Sequence, residues 1–266
     1  MGERAQTETA AAGRNFLMGE LMVAAAAREI RDGEWVFVGM RLPLLAFLVA
    51  KRLHAPGAVG LYENGLIRRE PAPEMLYTMA DPPNQRGATF CGQMIDLMGL
   101  LQQGRVDVGF LGAAEADRHG NLNSTWGSRE GRAVRLPGSG GACDIACMAG
   151  RTLTLMAHEP HRLVERAGYV TSPGYGDGGD WRRRAGLRAG TGPAAILTTM
   201  GVLRFDAAGE AFLASVHPGV AIEDVLANTG WELRGDPALG VTPAPSAAEL
   251  DAIREFDPAG FWTRQP

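Results

Sequence analysis

Apolar positions along this chain fall into two rhythms, one suited to helices and one to buried strands. Asn15 can cap an Ala- and Met-rich helix over 16–31, which Asp32-Gly33 ends. Trp35-Val36-Phe37-Val38 then reads as a short buried strand. Pro43 suits the first turn of a second helix running to about Leu53, short of Pro56, and 58–62 is a second strand. The pattern recurs with a helix over 93–103, a strand over 106–111, and later strands over 152–156 and 195–199. Runs such as Val106-Asp107-Val108-Gly109-Phe110-Leu111 suit strands covered on both faces. The strand, helix, strand order predicts an α/β fold, a mostly parallel sheet flanked by helices. Shorter helices are expected over 222–228 and 247–256, ended near Gly230 and Pro258. Between 171 and 193 the chain turns rich in Gly and Arg and holds neither period, so a surface excursion is expected from a single domain over 1–266.

Composition narrows the function. With 266 residues, 45% of them hydrophobic, the chain can bury a substantial core. A formal net charge of -4 offers no broad basic field, so a nucleic-acid partner is not expected. No apolar run is long enough to cross a bilayer, and the N-terminus lacks a basic start followed by an apolar stretch. The expected location is the cytoplasm. Only Cys91, Cys143 and Cys147 are present, which argues against a disulfide framework and fits a reducing compartment. Cys143 and Cys147 lack the further ligands of a tetrahedral zinc site, and His158 and His161 have the wrong spacing for a zinc-protease helix. No metal site is expected, and both histidines are read as non-catalytic.

Three segments could carry chemistry. In Tyr62-Glu63-Asn64-Gly65-Leu66 a carboxylate follows a strand and enters an Asn-Gly turn, the end of a parallel strand where ligands commonly bind. An acidic residue in a turn is ordinarily just solvated. In Gly112-Ala113-Ala114-Glu115-Ala116-Asp117 small residues permit close approach while Glu115 and Asp117 could orient neighbours, or merely cap a loop. In Gly138-Ser139-Gly140-Gly141-Ala142, glycines expose N–H groups ahead of a helix and could cradle an anion or an oxyanion, although an empty turn reads the same.

Taken in order, these segments resemble the beta subunits of class I coenzyme A transferases, above all the glutaconate CoA-transferase branch. The resemblance runs through Leu42-Pro43-Leu44, Glu63-Asn64-Gly65-Leu66, Gly120-Asn121-Leu122-Asn123-Ser124-Thr125 and Gly138-Ser139-Gly140-Gly141-Ala142. It continues through Tyr169-Val170-Thr171-Ser172-Pro173-Gly174, Gly201-Val202-Leu203-Arg204-Phe205-Asp206 and Glu223-Asp224-Val225-Leu226-Ala227-Asn228-Thr229-Gly230. It implies the coenzyme A transferase fold, with Glu63 as the nucleophile that forms a mixed anhydride and then a glutamyl-CoA thioester. Coenzyme A thioesters and carboxylic acids would be substrates, with no permanently bound cofactor. A separate alpha subunit would complete a hetero-oligomer and part of the oxyanion hole. Asn64, Gly65, Gly138, Gly140, Gly141 and Ala142 would line the substrate or oxyanion site, with Glu115 and Asp117 in support. Arg41 replaces a glycine of the glutaconate branch and could meet a substrate carboxylate or sit in a surface pair. The type of residue at Asp144 also varies between branches. The same scaffold also supports hydrolysis, decarboxylation or ring opening of CoA esters, and non-catalytic ligand-binding or regulatory relatives.

Overall fold

Apolar residues adjacent in a strand face opposite ways, and a strand flanked by helices must bury both sets. The computed structural model describes residues 15–129, 131–138 and 140–266; residues 1–14, where no leader is expected, Glu130 and Ser139 of the glycine-rich motif lie outside them. The chain opens with α1 (Met18–Arg28), β1 (Trp35–Phe37), α2 (Leu42–Leu53), β2 (Val59–Tyr62), β3 (Leu66–Arg68), α3 (Pro82–Gln85), β4 (Phe90–Cys91), α4 (Met94–Gln102) and β5 (Val108–Leu111). It continues with β6 (Glu115–Asp117), β7 (Leu122–Asn123), β8 (Trp126–Arg129), β9 (Arg132–Arg135), α5 (Ala142–Met148), β10 (Arg151–Met156), β11 (Leu163–Val164) and α6 (Trp181–Arg184). Last come β12 (Gly192–Thr198), β13 (Gly201–Phe205), β14 (Ala211–Val216), α7 (Ile222–Ala227), β15 (Arg234–Val241) and α8 (Ala247–Phe256).

Ten strands form one sheet in the order β15-β14-β13-β12-β10-β5-β1-β2-β3-β4. The five central strands, β12 to β2, are parallel, as the apolar runs predict. Both flanks turn antiparallel, β3 and β4 on one side and β13 and β14 on the other. Val36, Val108 and Leu153 meet Met22, Leu44, Leu48 and Ile253 of α1, α2 and α8 on one face. Phe37, Leu61 and Ile196 meet Leu97, Leu101 and Ile145 of α4 and α5 on the other. A three-stranded sheet, β11-β6-β7, and the hairpin β8-β9 stand apart from the large sheet.

Two local expectations need correction. The first helix is capped at Leu17, not Asn15, because the Glu20 carboxylate reaches back to the Leu17 N–H at 2.7 Å and is itself held by Arg254 at 2.7 Å. The segment 171–193 is not simply a surface excursion. Thr171, Ser172, Arg182 and Thr191 are buried, and the Arg182 guanidinium donates to Gly174 O (2.9 Å), Ala146 O (3.1 Å) and Thr191 Oγ1 (3.0 Å). Those bonds pin the arm against α5.

Candidate active site

The turn after β2 brings Glu63 to its place. Tyr62 pairs with Leu66 across the β2–β3 hairpin, and Gly65 N–H closes the loop on Tyr62 O at 2.9 Å. Gly65 has φ +100, and a Cβ there would come within 2.3 Å of Gly92 O, so only glycine fits. Gly92 N–H in turn donates to Gly65 O (2.9 Å), and Asn64 Nδ2 donates to Met79 O (3.0 Å). The turn is tied on both sides, and the half-buried Glu63 carboxylate stands beyond the end of β2.

The glycine-rich loop meets that carboxylate from across a cleft. Gly141 N–H donates to Glu63 Oε1 at 3.1 Å; as the residue capping α5, its N–H has no partner within the helix. Cβ atoms at Gly140 and Gly141 would lie 3.5 and 3.0 Å from the same oxygen, so the absence of side chains lets the two segments close up. Gly138 is clasped by Ser124, which accepts its N–H at 2.9 Å and donates its hydroxyl to Gly138 O at 3.2 Å.

The cleft holds about 620 Å³ and opens where β1 and β5 end, between residues 37–40 and 110–114. From β1 the chain passes to its neighbour β2, whereas β5 leads to β10 on the other side. Such reversals leave a crevice at the carboxyl ends of parallel strands. Glu63, Gly138, Gly140, Gly141 and Ala142 all line it.

Other expected residues fall elsewhere. Asn64 and Gly65 shape the turn and do not line the cleft. Glu115 Oε2 accepts from Asn123 Nδ2 (2.9 Å) and Gly168 N–H (3.0 Å); Asn123 then holds the Thr125 and Trp126 N–H groups, next to the Ser124 that clasps Gly138. Buried Asp117 accepts N–H bonds from His119 and Asn121 and the Asn121 amide, and Asn121 reaches Gly174 and Gly176 rather than the glycine-rich loop. Arg41 lies outside the Glu63 cleft, bonded to Gln265 O with its guanidinium 5.7 Å from the Trp262 ring centre. Asp144 is exposed in the first turn of α5. Sequence reasoning missed Met79 and Arg162, which line the cleft without a local pattern, and Gly39, for which a glycine just past a buried strand was an available signal.

Cys143 and Cys147 are free and half-buried on α5, and burial with the neighbouring Cys143 pushes the Cys147 thiol up to about 11. His158 and His161 do not line the cleft; His158 is buried between the Thr198 and Thr229 hydroxyls at 2.9 and 3.0 Å. Among the described residues no group of three or more His, Cys, Asp or Glu side chains could hold a metal ion.

Comparison with known proteins agrees with this geometry. Residues 20–228 match the family model described as coenzyme A transferase. The chain is 38% identical to the beta subunit of the 3-oxoadipate CoA-transferase of Pseudomonas knackmussii, over 90% of this chain and 92% of that one. It is 34% identical to the beta subunit of the glutaconate CoA-transferase of Acidaminococcus fermentans, over 95% and 97%. The crystal structure of the Acidaminococcus fermentans glutaconate coenzyme A-transferase superposes with a TM-score of 0.85 at 32% identity, covering 95% of this chain and 99% of that one. With the sheet, the turn and the glycine-rich loop all present, the chain belongs to the coenzyme A transferase family, in its beta-subunit branch.

Proposed function

We propose that this chain is the glutamate-bearing subunit of a heteromeric CoA-transferase, and that Glu63 is covalently acylated during turnover. The carrying observation is the Glu63 carboxylate in the cleft with Gly141 N–H 3.1 Å from Oε1. Glu63 attacks the thioester carbonyl, expels CoA thiolate and forms a mixed anhydride. The thiolate then attacks the Glu63 γ-carbonyl, releasing the acid and leaving a γ-glutamyl-CoA thioester; an acceptor carboxylate reverses both steps. When the carboxyl carbon Cδ is attacked, negative charge develops on a Glu63 oxygen. Gly141 N–H already donates to such an oxygen, so it serves as an oxyanion donor for those steps, with Gly138, Gly140 and Ala142 forming the surrounding wall. Glu115, through Asn123, supports that wall. The oxyanion formed on the substrate itself calls for donors from a partner subunit across the open side of the cleft.

The described residues contain no helix long and apolar enough to cross a membrane. Three free cysteines support a reducing compartment, and we place the enzyme in the cytoplasm. The test is to add an acyl-CoA alone to the purified complex, reduce with borohydride and map the product. Reduction at Glu63 is expected, together with loss of nearly all turnover in Glu63→Gln; an unmodified Glu63 or an active variant would refute the assignment. Product formation without an acceptor acid would identify a hydrolase.

A further inference from the structure

Residues 69–89 lead from β3 to β4, and on the way they meet the Glu63 turn at the carbonyl of Met79. Two side-chain amides share that oxygen, Asn64 Nδ2 at 3.0 Å and Asn84 Nδ2 at 2.6 Å. Asn64 is the chain neighbour of Glu63, whereas Asn84 belongs to α3 and is 0% exposed. The Asn84 backbone is held too: its N–H donates to Asp81 O (2.9 Å) and its carbonyl accepts from Arg68 Nη1 (2.5 Å). Trp262 Nε1 ties down the same segment just ahead of Met79, donating to Leu76 O at 3.0 Å. Met79 lines the Glu63 cleft and Asn84 does not. The side-chain oxygen of Asn84 is buried with no hydrogen-bond partner among the described residues.

A buried amide with an unpaired oxygen is a poor choice for stability alone, because an unsatisfied acceptor costs free energy that an apolar side chain avoids. What the amide supplies here is the N–H donated to Met79 O. A carbonyl oxygen has two lone pairs, and a carbonyl held through one of them can still swing about that bond. Asn84 takes the second, so Asn64 meets an acceptor fixed in direction. We infer that Asn84 is a positioning residue for the proposed reaction, acting on Glu63 through Met79 O and Asn64 to keep the carboxylate on Gly141 N–H. The inference rests on the reading of Glu63 as the nucleophile. Because Asn84 lies outside the cleft, its loss disturbs the aim of the carboxylate and not the binding of substrate, and so acts on kcat more than KM.

The test measures turnover and adduct formation at Glu63 in the complex with its partner subunit, for Asn64→Ala, Asn84→Ala and the double variant, with rates counted per folded molecule. Asn64→Ala should lose roughly 10-fold in kcat, and Asn84→Ala several-fold up to the same amount, with KM little changed. The double variant should lose no more than Asn64→Ala alone, since both amides act through one carbonyl. Asn84→Asp keeps the shape and loses the donor, so it should fall at least as far as Asn84→Ala. A wild-type kcat in both Asn84 variants, a loss confined to KM, or a double variant whose loss is the product of the single losses overturns the inference. A loss that vanishes once rates are counted per folded molecule also overturns it and makes Asn84 a support of residues 69–89 alone. Hydrogen exchange over 62–66 reads the placement without chemistry. Faster exchange there in Asn84→Ala upholds the path from Asn84 to the turn even if no adduct forms at Glu63, a result that would sink only the nucleophile assignment; exchange at the wild-type rate overturns the path.

Discussion

Replacing Gly141 by alanine should separate catalysis from stability. The backbone at Gly141, φ -82 and ψ 2, is open to alanine, so no conformational strain is introduced. The added methyl would meet two atoms closely: Met98 Cε at 2.6 Å and Glu63 Oε1 at 3.0 Å. The Met98 methyl ends a flexible chain and can swing aside. The Glu63 oxygen can yield only by a few tenths of an ångström, and that shift weakens its bond to Gly141 N–H. Since a misplacement of about 1 Å can cost roughly 100-fold in rate, the expected loss is about 10-fold from displacement alone. It rises towards roughly 100-fold or more if the N–H is lost as an oxyanion donor. Stability should move little, because alanine restricts the unfolded chain in its favour by roughly 0.4–1 kcal/mol while crowding opposes it. Gly140→Ala is the contrasting control: its Cβ would stand at an ordinary 3.5 Å from Oε1, but φ is +43. That variant should lose roughly 1 kcal/mol of stability with a smaller effect on rate. Rapid-quench measurement of adduct formation, paired with calorimetric melting, reads both quantities. A Gly141→Ala enzyme with the wild-type rate would refute the donor role, and one that melts far lower would assign the loss to folding.

Other consequences can be checked on the same material. Burial holds the His158 pKa at about 4, below its usual 6.5, so the folded state favours the neutral ring. Its contribution is complete above about pH 6.5 and drains as pH falls towards 4, on the order of 3 kcal/mol in all. His158→Gln should therefore flatten the rise of the urea midpoint between pH 4.5 and 7, and an unchanged slope would contradict this. Arg68 is buried and donates to the carbonyls of Glu70, Pro71, Asn84 and Arg86, so Arg68→Met should cost roughly 3 kcal/mol, seen as a lower denaturation midpoint. Asp117→Asn should cost roughly 2 kcal/mol, because both carboxylate oxygens accept: with the amide oxygen kept towards the His119 and Asn121 N–H groups, the NH2 meets the donors Asn121 Nδ2 and Ala167 N–H. The turnover per folded molecule in that variant should stay near wild type, and a selective loss of kcat would place Asp117 closer to the chemistry than its contacts do.

The legible part of the fold is the part buried on both faces. Runs such as 58–62 and 106–111, the latter broken only by exposed Asp107, are apolar because helices cover both faces, and they supplied the central parallel strands β2 and β5. The flanks and the separate hairpin carried no such mark. β4 is two exposed residues and β9 four, so neither period develops, and β14 alternates irregularly around a register shift. The excursion at 171–193 looked solvated because arginine and glycine dominate it, yet Arg182 is buried by carbonyls that only the tertiary fold supplies. The place of Glu63 beyond a strand end was legible because strand, carboxylate and Asn-Gly turn are consecutive, whereas its reading as a nucleophile came only from the family resemblance. Arg162 and Met79 were not legible, because each enters the cleft alone from a distant segment.

The same contrast explains how the site is kept rigid. A free glutamate in an exposed turn samples many rotamers, and ordering it when substrate binds would raise the barrier. Here the ordering is done by folding. Gly65 is closed on Tyr62 and Gly92, Asn64 holds Met79, and Gly141 N–H meets the carboxylate itself. None of these ties uses the second carboxylate oxygen, which has no hydrogen-bond partner among the described residues; in the proposed mechanism that is the oxygen that would attack a carbonyl carbon in the cleft. Glycine is required at both ends of this arrangement for different reasons: at Gly65 by the positive φ and the Gly92 carbonyl, and at Gly141 by the carboxylate that a Cβ would displace. A side chain at either position would therefore act on the same oxygen, from behind through the turn or from in front through the loop.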